Sequence, residues 1–400
     1  GGAGGNVDVS NSGPVSAGDA TEPAFTQAHG IFAQSIGGGG GSGALTGDLD
    51  ISGDSQSVDH SLDLEMSGSG NGGTGGGVGL SNSGAVSTQN RNSHALFAQS
   101  IGGGGGDADA ALLTLIDKTT NDPTPSISTS YVASGSLGSG STGGTVTLTN
   151  SGSLSTTAPW SHGIFAQSVG GGGGSNAPLG SPFIPCDQCG TLSAVWDATV
   201  ALGGKTGNGG NGGNIAVTSS GAIHTGGAGS DGIFAQSIGA GGGSAGAASG
   251  LAQGGDYIGF NQFTALDLAL GSAGVGGSPA SGHGGTVSVN HGAGDIITED
   301  IGSVAIYVQS VGAGGGRGGT GAIGSGGRVD VGGNGAAAGD GGDVEVKVSG
   351  GTIQAGRGSG GAGIVSAAYG IFAQSIGGGG GHGGNVLMGA TDNFTSAAGL

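Results

Sequence analysis

Cys186 and Cys189 are the only thiols in the 400-residue chain, with two residues between them in Pro185-Cys-Asp-Gln-Cys-Gly190. A thiolate metal site closes with four ligands, and no second pair exists. A thioredoxin-type centre needs a helix N-terminus, which this proline- and glycine-flanked loop does not offer. A local disulfide fits best, ahead of free thiols and of redox or metal chemistry, and it suits an oxidising destination. His29, His94 and His162 recur at one position of a repeat, where other copies carry Asp231, Val304 and Tyr369. If such positions lie two or three coils apart, the rings stand ~10–15 Å from each other, too far to share a metal. The position then reads as a tolerant strand start.

Carboxylates are scattered, among them Asp48, Asp50, Asp59, Asp63, Asp107 and Asp109. The stretch Gly339-Asp340-Gly341-Gly342-Asp343 is similar to calcium-binding glycine-rich nonapeptides, but no tandem copy follows it. Calcium is therefore a minor alternative to having no cofactor. Arg91, Arg317, Arg328 and Arg357 are widely separated, and no Ser/His/Asp spacing implies a triad. We read the chain as not an enzyme, with no catalytic, cofactor-binding or metal-ligating residues.

Composition narrows the classes further. There are 107 glycines, 8% charged and 4% aromatic residues, and a net charge of −19. An α/β enzyme would carry more charge and less glycine. Nine prolines and the lack of a strict third-residue glycine exclude collagen. The acidic balance excludes a nucleic-acid partner, which requires clustered Lys and Arg. No apolar run approaches the ~20 residues of a membrane span.

Internal repetition argues against disorder. The heptapeptide Gly-Ile-Phe-Ala-Gln-Ser-Ile at 30–36 recurs with small changes at 95–101, 163–169, 232–238, 305–311 and 370–376. Its glutamines are separated by 65, 68, 69, 73 and 65 residues. The repeat-motif residues are Phe32, Gln34 and Ser35; Phe97, Gln99 and Ser100; Phe165, Gln167 and Ser168; Phe234, Gln236 and Ser237; Tyr307, Gln309 and Ser310; and Phe372, Gln374 and Ser375. A five-residue glycine run follows each copy, with Ala240 and Ala313 interrupting two of them. Upstream lies Gly-Gly-x-Φ-x-Φ, where Φ is apolar, with the pairs Val7/Val9, Val78/Leu80, Val146/Leu148, Ile215/Val217, Val287/Val289 and Val344/Val346. An Asn-Ser-Gly or Ser-Ser-Gly turn follows in four copies, then a further apolar position at Val15, Val86, Leu154, Ile223, Ile296 or Ile353. Approximate modules are 4–74, 75–142, 143–211, 212–283, 284–340 and 341–382, with a partial one at 383–400. They form one continuous array with no signal peptide or β-barrel in this segment.

Alternation of apolar and small polar residues has the strand period, and glycine at this density opposes helix by ~1 kcal/mol per position. The expectation is an all-β, elongated β-solenoid (β-helix) of stacked short-strand coils with glycine-rich corners. A coil of ~22–30 residues implies two or three coils per module and a rod of ~60–90 Å. The glycine runs read either as close-packed corners and walls where only hydrogen fits, which we favour, or as extended PPII-like segments. The Gln-Ser pair reads chiefly as satisfying buried backbone at a corner, and alternatively as a solvent-facing amide ladder for a glycan.

Modules of Gly-Gly-x-Val-x-Val-x-Asn-Ser-Gly followed by His-Gly-Ile-Phe-Ala-Gln-Ser-Ile and a glycine run resemble the passenger regions of large proteobacterial autotransporters, type V secreted surface proteins. The resemblance spans nearly the whole chain. It implies an extracellular, cell-surface location, with outer-membrane anchoring only through a barrel outside this segment. It also implies that the chain is a piece of a longer polypeptide. The expected function is a stalk or adhesin that projects variable loops for surface, host or biofilm attachment. Residues 107–130 and 175–191 are the favoured contact loops. Partners would be a surface glycan, a protein ligand or copies of itself. The alternative is a self-assembling extracellular filament or surface-layer protein.

Overall fold

A computed structural model describes residues 1–19, 27–43, 45–53, 57–66, 69–107, 126–134, 138–174, 195–202, 207–243, 248–249, 263–270, 281–300, 302–316, 321–323, 328–331, 337–356, 368–383 and 386–388. Every regular element among them is a strand. Each module supplies one strand to each of three six-stranded parallel sheets. Sheet one collects the Φ-x-Φ segments, Val7–Asn11, Val78–Asn82, Val146–Asn150, Ile215–Ser219, Val287–His291 and Val344–Val348. Sheet two collects the short strands after the turn, beginning with Val15–Ala17 and ending with Ile353–Gln354. Sheet three collects the heptapeptides, from Ile31–Ile36 to Ile371–Ile376.

Register corrects the expected coil count. Val7 pairs with Val78, Val78 with Val146, and Val146 with Ile215, each at the same position of the next module. Gln34 pairs with Gln99 and Gln99 with Gln167 in the same way. One module is therefore one coil, and the six coils rise over about 24 Å, five strand spacings of ~4.8 Å, rather than 60–90 Å. The shorter expectation for the coil came from counting only its strands. The glycine run, the insert and the returning connector belong to the same turn of the solenoid.

The core follows from the pleat. In the strand Ile164–Val169, Ile164, Ala166 and Ser168 are buried while Phe165, Gln167 and Val169 face outward, half-buried. Five inward columns build the core. Coil three contributes Val146, Leu148, Leu154, Ile164 and Ala166, and coils two, four and five repeat the set with small aliphatic changes. In-register stacking places like on like, so a column needs the same volume in every coil, which explains the sequence repetition.

The glycine runs satisfy both readings at once. Gly37 and Gly40 N–H groups donate to Ile101 and Gly104 of the next coil, and Gly102 and Gly105 donate to Val169 and Gly172. Bonds at every third residue follow the three-residue turn of PPII, which leaves its backbone groups for neighbours. The second residue of each run joins a relay with the returning connector: Gly73 N–H to Gly38, Gly103 to Gly73, Ser141 to Gly103 and Gly171 to Ser141. Side chains are excluded in the same pattern. A Cβ on Gly170 or Gly173 would collide with the carbonyl of Gly210 or Gly207, whereas one on Gly172, the third position, would meet nothing. The result is a wall of interleaved extended segments in which the mandatory glycines recur by backbone geometry.

Insert strands form a fourth six-stranded sheet, Leu45–Gly53, Ser57–Met66, Ser126–Ser134, Val195–Leu202, Phe263–Leu270 and Arg328–Val331. Its pairings are parallel except for Leu45–Gly53 with Ser57–Met66, an antiparallel pair within the first module. Ser126–Ser134 overlaps the segment expected to be a contact loop, so residues 126–130 are strand instead. Alternation at Ser126-Ile-Ser-Thr-Ser-Tyr-Val was the available signal. Residues 108–125 and 175–191, with Cys186 and Cys189, lie outside the described residues.

Candidate functional site

The heptapeptide strands build the most regular feature of the molecule, an outward face of three columns. Phe32, Phe97, Phe165, Phe234, Tyr307 and Phe372 stack with ring centroids 4.5, 4.8, 5.1, 4.9 and 5.0 Å apart. Ring planes lie 4–12° apart along the column. The rings cover one another; Phe32 at the first coil is half-exposed, whereas Phe97 is buried, with the His29 and His94 rings 5.2 and 5.7 Å away. Beside them Gln34, Gln99, Gln167, Gln236, Gln309 and Gln374 form a continuous amide ladder, each Nε2 donating to the next Oε1 at 2.5–3.0 Å. The third column is Ile36, Ile101, Val169, Ile238, Val311 and Ile376.

Serine and glutamine, adjacent in sequence, do different work because they point to opposite faces. Ser168 Oγ donates to Gly144 O at 2.9 Å and accepts from Gly213 N at 2.8 Å, which ties two successive connectors to the strand. Ser100 and Ser237 repeat this bridge one coil below and one above. The backbone-satisfying role expected for the pair falls to the serine, and the outward amide ladder falls to the glutamine.

The histidines stack where the sequence arithmetic separated them. His29–His94 and His94–His162 ring centroids are 5.1 and 4.8 Å apart, because equivalent positions are one coil apart. The backbone N–H of His94 donates to His29 Nδ1, that of His162 to His94 Nδ1, and that of Asp231 to His162 Nδ1, at 2.9–3.1 Å. An Nδ1 that accepts carries no proton, so the rings are neutral with the proton on Nε2. Burial, then the neighbouring His162 and His29, pushes His94 down to about 3. Burial pushes His162 down to about 4 and lowers His29. Asp231 continues the column: Oδ1 accepts from Val304 N at 2.7 Å, and Oδ2 lies 3.4 Å from His162 Nδ1. Burial raises its carboxyl to about 7, against the pull of the Val304 N–H. A protonated Asp231 suits a contact with a nitrogen that already holds a lone pair. Parallel rings ~5 Å apart place like nitrogens farther apart than one zinc at ~2.0–2.1 Å from each could bridge.

Among the described residues no group of three His, Cys, Asp or Glu side chains could hold a metal. Asp340, from the candidate calcium stretch, is exposed, with its N–H on His283 Nδ1 and its carboxylate 3.4 Å from that nitrogen. Asp343 contributes its carbonyl to the ladder through Val287 N. Asp48, Asp50, Asp59 and Asp63 sit on the antiparallel pair of the first insert.

Two internal ladders were not anticipated. Asn82 Nδ2 donates to Gly84 O across its own turn and to Asn150 Oδ1 of the next coil, both at 2.8 Å, and Asn11 does the same one coil below. The ladder ends at Ser219, whose Oγ accepts from Asn150 Nδ2 at 3.5 Å; the next residue in register is His291, whose ring bonds Gly294 O and leaves Nδ1 buried and unpartnered. Here the turn carries one extra residue. Ser161 and Ser230 accept from the backbone of Ser93 and Ser161 one coil below, and their carbonyls hold Thr156 and Thr225 Oγ1. The signal was a serine just before the variable position, as in Ser93-His94 and Ser230-Asp231. On sheet one, Asn6, Asp8, Ser10, Ser81, Thr147 and Thr149 line a shallow open groove over the first three coils.

These features define a parallel β-solenoid with one coil per module, held by columns of like side chains. Searches of protein-family models, curated proteins and solved structures return no match.

Proposed function

We propose that this chain is part of a cell-surface passenger of the autotransporter kind, a scaffold that holds variable inserts in a row for attachment to a surface, a glycan or a protein. The carrying observation is the placement of the inserts. Each of the first five leaves the coil after a glycine run and returns by a glycine-rich connector, and run and connector are hydrogen-bonded from coil to coil. All inserts therefore emerge along one edge, one per ~4.8 Å step. A scaffold fixed by in-register ladders tolerates variation outside them, and recognition concentrates on loops carried by rigid elements. The chain uses no catalytic cluster in this role, and its −19 charge favours solubility over nonspecific adhesion.

The test replaces residues 108–125 and 175–191 with short Gly-Ser linkers and compares binding to glycan arrays and to intact cell surfaces. Loss of binding with unchanged far-UV circular dichroism is expected. Binding that survives both replacements would contradict the proposal. Open-ended fibre growth by the unaltered chain would support the filament reading instead.

A further inference from the structure

The outward face of the heptapeptide sheet has a property that the insert-display function does not use. Its three columns, Phe/Tyr, Gln and Ile/Val, hold no charged residue in any of six coils, although the chain carries −19 overall. The other broad face, on sheet one, carries Asp8, Glu345 and Lys347 among its Ser, Thr and Asn side chains. The uncharged columns run directly into the glycine wall, whose third positions are open and bear no side chain. A six-strand surface of stacked rings, amides and aliphatic groups, with no solvating charge, is the kind of surface that associates unless charges prevent it.

We propose that this face is a lateral docking surface for a second copy of the chain, packed face to face. The repeat distance selects the occupant. A ladder with a ~4.8 Å step packs along its whole length only against a partner with the same step, and a second copy has it by construction. A partner of different period loses register within a few coils. Six strands of six residues present roughly 500 Å² per copy, or about 1,000 Å² in the pair, which is the lower limit for a specific interface. In an antiparallel, two-fold pairing the central Gln167 and Gln236 meet their counterparts. The inference stands independently of insert binding.

Sedimentation of the 400-residue chain, with reductant to exclude cross-links through Cys186 or Cys189, tests it. A reversible monomer–dimer equilibrium in the micromolar range is expected, saturating at the dimer. Gln167→Lys should weaken dimerisation at least tenfold. Val169→Thr with Ile238→Thr, which keeps β-branched shape and leaves the amide ladder intact, should weaken it severalfold. Thr147→Lys, on the exposed face of sheet one, should leave it unchanged. A monomer at every concentration up to several hundred micromolar would overturn the proposal. So would open-ended association, or dimerisation equally sensitive to Thr147→Lys. Natively folded dimers insensitive to the two threonine substitutions would place the interface elsewhere.

Discussion

At the residue scale, the histidine column shows how stacking sets ionisation. The Nδ1 atoms of His29, His94 and His162 are committed to the next coil's backbone, so protonating them breaks those bonds. Their folded pKa values lie below the ordinary 6.5, so their contribution to stability is present above pH 6.5 and is lost as pH falls toward 4 and 3. Asp231 has the opposite sign. Its folded value of about 7 lies above the ordinary 3.8, so its relative contribution is full below 3.8 and is lost as pH rises through 7. Asp231→Asn keeps the Oδ1 acceptor and removes the titration. The wild-type chain should gain on that variant as pH falls from 7 to 4, by up to ~1.4 kcal/mol per pH unit in chemical denaturation. A stability difference independent of pH would show that Asp231 is charged in the folded state. The glycines make a second residue-scale test. Gly173→Ala must displace the Gly207 carbonyl and should cost ~1–3 kcal/mol. Gly172→Ala, one residue away in open space, should be neutral or stabilise by up to ~1 kcal/mol. Equal costs at both sites would refute the three-residue pattern of the wall.

At the element scale, each strand is held less by its own length than by side chains that reach the connectors. Ser168 is fully buried, and its Oγ serves two connectors. Ser168→Ala should cost ~1–3 kcal/mol, since Gly144 O and Gly213 N both lose a partner, whereas Gln167→Ala on the outer face should cost ~1 kcal/mol or less. Thermal unfolding that ranks the two the other way would reverse the roles assigned here. Strands and inward columns were legible because alternation at Val146-Thr-Leu-Thr and Ile164-Phe-Ala-Gln-Ser marks both the strand and its buried side. Closure of the coil was not. Val7 pairs with Val78, 71 residues on, and nothing local distinguishes that from a coil of 25. The missed information lay in the glycine segments, which carry backbone bonds without the apolar alternation that announces a strand. The histidine stack was misjudged for the same reason, since its spacing follows from the coil count. The division of labour between Gln and Ser was recoverable in principle: adjacent strand residues face opposite sides, so one of the pair had to point inward.

At the scale of the whole molecule, the proposed function and the fold make opposite demands on the sequence. The β-solenoid lobe requires each column to repeat, so variation is confined to the inserts that the glycine wall holds outside it. Length per coil is therefore free, from 65 to 73 residues between glutamines, while the rise per coil stays fixed. All of this rests on one module forming one coil. The direct measurement is the distance between spin labels at Ser10→Cys and Lys347→Cys, with Cys186→Ser and Cys189→Ser, by pulsed dipolar spectroscopy. Ser10 and Lys347 occupy one column, reached through Ser81, Thr149, Thr218 and Asn290. Five strand spacings predict a narrow distribution centred near ~24 Å, widened only by the label arms. A distance of about 50–70 Å, as two or three coils per module would give, would contradict the structure and the row of inserts built upon it.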